Sequence, residues 1–181
     1  MKIELTQTDD KLYVVTGVFD KKAPALHIIT DHPPEENSFE HEVMVNKAKY
    51  LIENRHYGAF IITFVNASKN VNDLTGLIVN DEKNVQIIAE AAKYSEATLI
   101  AYGRNVYHHH VVRTLLEAGN TVLTTNIDAE GFPTQFNRAS KRAPLVPLEW
   151  ISSPDSRVRQ QHPRGVDQPA PPRRRPTSEQ I

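Results

Sequence analysis

The chain has 181 residues, a formal net charge of −1 and no cysteine. That length suits one domain with an appendage, and the missing thiols exclude disulfides, thiolate catalysis, Cys-ligated zinc and iron–sulfur clusters. The charge is uneven: residues 152–181 carry six Arg against three acids, net +3, which leaves residues 1–151 at −4. So acidic a body does not coat duplex DNA by charge alone.

The N-terminus, MKIELTQTDDKLY, lacks the apolar core of a signal peptide. No apolar run approaches the roughly 20 residues of a membrane helix. A cytoplasmic protein with no membrane partner is expected. Leu12–Phe19 is β-branched and aromatic and reads as a strand. Lys21-Lys22-Ala23-Pro24 breaks it. Ala25–Thr30 is a second strand, stopped by Asp31-His32-Pro33-Pro34. Met44, Ala48, Leu51 and Ile52 then recur at helical spacing. Phe60–Val65 is a continuous apolar run, as expected of a parallel strand covered on both faces.

Asn66–Val79 reads as a polar loop. Asn80 is the expected cap of a second helix, with Asp81 and Glu82 in its first turn and Ile87, Ile88, Ala91 and Ala92 as its buried stripe. Thr98–Ala101 is a strand, and Tyr102-Gly103-Arg104-Asn105 turns into a helix that buries Val111, Val112, Leu115 and Leu116. Gly119-Asn120 ends that helix in a left-handed cap. Val122–Thr125 is a fifth strand, and Leu148–Ile151 a short last one. The alternation predicts a three-layer, doubly wound α/β fold. Its mostly parallel sheet has about five strands, with helices on both faces. The first strand is expected to pair antiparallel at an edge. The domain should span 1–151. The segment 152–181 holds six of the twelve prolines and almost no large apolar residue, a composition that predicts disorder.

In open α/β sheets ligands bind beyond the carboxyl ends of the strands. Four segments are expected there: Asp31–Asn37, Asn66–Asn70, Tyr102–Asn105 and Thr125–Asp128. In the first, prolines fix the backbone around three carboxylates, an imidazole and an amide, so Asp31 or His32 is a candidate base toward water. The competing reading is a solvated proline turn whose Asp31 and Asn37 cap the next helix. Gly103 and Arg104 at a helix N-terminus, after Tyr102, suit an anion, or form an ordinary strand–helix turn. Asn66 can read a base edge through paired hydrogen bonds or close an Asx-turn on its own loop. His108-His109-His110 do not make a metal site, because adjacent helical side chains diverge by about 100°. His32 and His41 are a better pair, but no metal and no cofactor are expected.

The order of these segments resembles the bacterial and phage domain-of-unknown-function 1643 family. In that family a strand ends in Asn-Pro-Ser-Thr-Ala-Asp, a later strand ends in Asn, an Asn-Asp-capped helix follows, and another strand ends in Trp-Gly. A late Gly-x-Pro-x-His-Pro-Leu-Tyr segment closes the pattern. Here Ile28–Asn37 stands in the first slot, Val65-Asn66 in the second, Asn80–Asn84 in the third, Ala101-Tyr102-Gly103 in the fourth and Gly131-Phe132-Pro133-Thr134 in the last. His32 replaces the family's Asn and Pro34 its Ser, and the late His-Pro is absent after Pro133, although Pro144–Leu148 can stand in after an insertion. These departures point to binding without catalysis. The layout is also similar to uracil-DNA glycosylases. That likeness implies that Asp31 orients water, Asn66 reads a flipped base, and Phe132 and Phe136 stack or wedge.

The expected function is therefore binding of a nucleotide or single-stranded nucleic acid, as in an accessory protein of a phage or mobile element. The alternatives are a glycosylase-like N-glycosidic hydrolase and a protein adaptor working through the Pro/Arg-rich tail.

Overall fold

A computed structural model describes residues 2–148. Seven strands form one mixed sheet: β1 (Lys2–Gln7), β2 (Leu12–Val18), β3 (Ala25–Thr30), β4 (Ala59–Phe64), β5 (Ala97–Ile100), β6 (Thr121–Thr124) and β7 (Val146–Pro147). Their order is β1-β2-β4-β3-β5-β6-β7. The inner four, β4-β3-β5-β6, are parallel, and the outer strands pair antiparallel. Three helices connect them: α1 (Phe39–Glu53), α2 (Glu82–Tyr94) and α3 (His108–Glu117).

Alternate residues of a strand face opposite sides of a sheet, and β3 separates the two cores that way. Leu26 and Ile28 join the α1 stripe of Met44, Ala48, Leu51 and Ile52. Ile29 joins Ile88 and Ala92 of α2 and Val111, Val112 and Leu115 of α3. The result is three layers, with α1 on one face and α2 and α3 on the other. Each fully buried Leu or Ile contributes roughly 1.5–3 kcal/mol of apolar transfer, which is why the continuous runs of β3 and β4 occupy the middle.

Several expectations need correction. The sheet has seven strands where about five are expected. β1 was missed because its residues are nearly all exposed, although Ile3 and Leu5 alternate as a strand's should. β2 is antiparallel but interior, since β1 covers its outer side. Among the described residues the last strand is Val146–Pro147, where a proline suits an edge position; Leu148 lies just past it, and the rest of the expected last strand, residues 149–151, lies with the segment 152–181 outside the described residues. Asp81, not Asn80, caps α2, accepting from the Lys83 and Asn84 amides. Ile87 is only half-buried and Leu116 is exposed, so each lies off its helix's core stripe. No described helix is long and apolar enough to cross a membrane.

Candidate functional site

Chain direction locates the site. From β3 the chain passes through α1 to β4 on one side, then crosses back through α2 to β5 on the other. At such a switch point neighbouring connections diverge and leave a crevice at the strand ends. β3 and β5 are in register up to Ile29 and Ile100, and the Ala101 amide donates to the Ile29 carbonyl at 2.9 Å. Thr30-Asp31 and Ala101-Tyr102 therefore emerge side by side, and a cavity of about 390 Å³ opens there.

Its lining comes from four places. The end of β3 supplies Thr30, Asp31, His32 and Pro34; the end of β5 supplies Ala101 and Tyr102. α1 contributes Phe39, Glu40, Val43, Met44 and Lys47. The segment Gln135–Asn137 closes the remaining wall. It is tied down twice: the Phe136 amide donates to the Ala101 carbonyl at 2.7 Å, and the Lys47 ammonium donates to the carbonyls of Phe136 and Ala139.

Asp31 is the most defined polar group. Its Oδ1 accepts from the Asn105 amide at 2.7 Å, and its Oδ2 has a longer contact, 3.4 Å, with Nδ1 of His32. The hydrogen bond to Asp31, with the charges of Asp31 and Glu40, raises the His32 pKa against the opposing effect of partial burial. Burial lowers the Lys47 pKa. Thr30 is 7% exposed, and its hydroxyl oxygen has no hydrogen-bond partner.

The other expected site residues lie elsewhere or act differently. Asn66 is buried and closes the Asx-turn: its Oδ1 accepts from the Ser68 amide at 3.1 Å and its Nδ2 donates to the Asp73 carbonyl at 3.0 Å. Its side-chain amide is committed to its own loop and does not line the cavity. Arg104 is exposed and pairs with Asp128 at 2.8 Å and Glu130 at 3.0 Å, outside the lining. A guanidinium already facing two carboxylates is a poor phosphate ligand. Gly103 has a φ of 78°, and a Cβ there would lie 2.4 Å from Cγ of Gln135. Glycine thus lets the β5–α3 turn approach the cavity wall.

The Tyr102 ring belongs to the α2–α3 core, where its hydroxyl hydrogen-bonds His108 Nδ1 at 2.7 Å; burial pushes its phenol pKa up. Phe132 is half-buried, edge-on to the His108 ring at 5.7 Å, and is not in the lining. Asn37 is exposed, with a φ of 60°, in the turn before α1, whose cap is Ser38. Neither Asp31 nor Asn37 caps that helix. Among the described residues no group of three or more His, Asp and Glu is arranged to hold a metal ion, with or without His32 and His41.

Asn105, Lys47, Phe39 and Glu40 were not singled out from sequence. Lys47 left a signal, since it lies three residues after Met44 and four before Leu51 and so falls on the buried stripe of α1. Asn105 follows a strand end, but nothing in its spacing indicates that it reaches Asp31.

Set beside known protein families, curated proteins and solved structures, the chain matches none.

Proposed function

We propose that the protein binds a base-bearing ligand, either a nucleotide or a stretch of single-stranded nucleic acid, in the cavity between the ends of β3 and β5. The observation that carries this is the combination of aromatic rings and oriented acceptors in one small-molecule-sized cavity. Its volume, about 390 Å³, falls within the roughly 300–1,000 Å³ range of ligand sites. Phe39, 79% exposed at the rim, and Phe136, in the wall, offer apolar rings. Base-on-aromatic stacking contributes about 1–3 kcal/mol per base. Asp31, Gln135 and Asn137 offer hydrogen-bonding partners for a base edge.

One observation favours a second reading, N-glycosidic hydrolysis. Asp31 is held by Asn105 at the cavity wall, the arrangement a carboxylate needs to orient an attacking water. The adaptor reading depends on residues 152–181, which lie outside the described part, and no observation favours it.

One experiment addresses both readings of the cavity. Bases, nucleosides, nucleotides and short single strands are screened by thermal shift, and the same incubations are analysed for free base. A ligand at 100 times its dissociation constant should add about 2.7 kcal/mol of stability. Phe39→Ala, at an exposed position, should weaken binding by about 1–3 kcal/mol. Base released by the wild type but not by Asp31→Ala would favour hydrolysis. A flat screen defeats base binding.

A further inference from the structure

The position of the cations decides whether phosphate belongs inside this cavity. Two carboxylates, Asp31 and Glu40, are in the lining. The lysine of the lining, Lys47, directs its ammonium at the carbonyls of Phe136 and Ala139. Arg104 is outside, held by Asp128 and Glu130. The positive pole of α1 already faces Glu40 and Glu42 in its own first turn. His32, whose pKa Asp31 and Glu40 raise, faces Asp31 at 3.4 Å. Anions thus meet a lining whose two carboxylates outnumber its available positive groups.

The cavity is instead rich in acceptors. Oδ1 of Asp31 takes one hydrogen bond from Asn105 and Oδ2 has the longer contact with His32, which leaves free acceptor sites among the roughly four that a carboxylate offers. Thr30, more than nine-tenths buried and part of the lining, leaves its hydroxyl without a partner. That oxygen is covered rather than open to the cavity, so the acceptor character rests on Asp31 and Glu40.

From these observations we propose that the cavity takes an amine-bearing base, its donor edge turned to Asp31 and Glu40, and leaves the phosphate of a nucleotide or strand outside. The inference rests on the base-binding reading above. Guanine fits best, because its ring N–H and neighbouring amine can engage one carboxylate by two parallel hydrogen bonds, as a guanidinium does. Uracil presents its ring N–H between two carbonyl oxygens, which would face the carboxylates and be repelled.

The test is calorimetric titration of the full-length protein with guanosine, guanosine monophosphate and uridine. Guanosine should bind at least about fivefold more tightly than its monophosphate, since two added charges ~8 Å from a negative lining cost that much even in water. It should bind at least about tenfold more tightly than uridine, the worth of a hydrogen bond to a charged group. Asp31→Asn should erase the preference over uridine. Glu40→Gln, at an exposed helix position, should narrow the gap between nucleoside and monophosphate without disturbing the fold. If the monophosphate binds as well as guanosine, or both preferences survive the substitutions, this inference fails while base binding stands. If no base-bearing compound gives heat, both fall.

Discussion

His27 sits mid-strand in β3, fully buried, with Nδ1 2.9 Å from the Thr98 hydroxyl of β5 and Nε2 2.8 Å from the Thr63 hydroxyl of β4. A neutral imidazole has one donor and one acceptor, and two rotatable hydroxyls satisfy both. Burial pushes its pKa down to about 3, against about 6.5 for an unfolded histidine. Below pH 6.5 the unfolded chain therefore takes up a proton that the folded chain refuses. The stability tied to His27 is complete above that pH and is lost as pH falls toward 3. Between pH 6 and 4, denaturant unfolding of the wild type should lose up to about 1.4 kcal/mol per pH unit more than a variant carrying His27→Leu, Thr63→Val and Thr98→Val. His27→Leu alone should cost about 1–3 kcal/mol at neutral pH by stranding two hydroxyls. Equal pH slopes in wild type and triple variant would show that the imidazole is not held neutral.

At the scale of elements, the site depends on how α1 holds the segment 135–139. That segment has no helix or strand of its own, so its position rests on a few bonds, with the Lys47 ammonium under two of its carbonyls and Phe136 packed into the α1-side core. Lys47→Met keeps the apolar stem but removes the donor. It should cost about 1–3 kcal/mol and speed hydrogen exchange at the Phe136 amide, leaving exchange in β4 unchanged. Unchanged protection at Phe136 would mean that the strand-end bond to Ala101 suffices. Only part of this arrangement is legible in the sequence. The inner strands and all three helices are legible, because each buries a periodic or continuous apolar set. β1 is not, since an exposed edge strand carries little hydrophobic signal. Of the expected site residues, Asp31, His32 and Tyr102 line the cavity because they closely follow β3 and β5, and strand ends can be read. Asn66 could not be assigned in advance: an amide after a strand serves a ligand or its own turn equally well, and only the positions of Ser68 and Asp73 decide. Asn105 meets Asp31 across 74 residues of chain, a contact made by the crossover of β4 to β5 and carried by no local pattern.

For the whole molecule, charge separates what the cavity does from what a strand of nucleic acid would feel. Residues 1–151 carry −4 and residues 152–181 carry +3, with Arg173, Arg174 and Arg175 together. A nucleoside is uncharged and carries no condensed counterions, so its affinity should be nearly independent of salt. Single-stranded oligonucleotides release about 0.7 counterion per phosphate neutralised. If the tail arginines make those contacts, log affinity for a strand should fall linearly with log salt. Replacing the three consecutive arginines with alanine should reduce that slope by about 2 while leaving the nucleoside affinity unchanged. The two measurements separate the contributions: a salt-dependent nucleoside affinity would mean that ions compete for the cavity carboxylates, and a strand affinity with an unaltered slope would remove the tail from nucleic-acid binding.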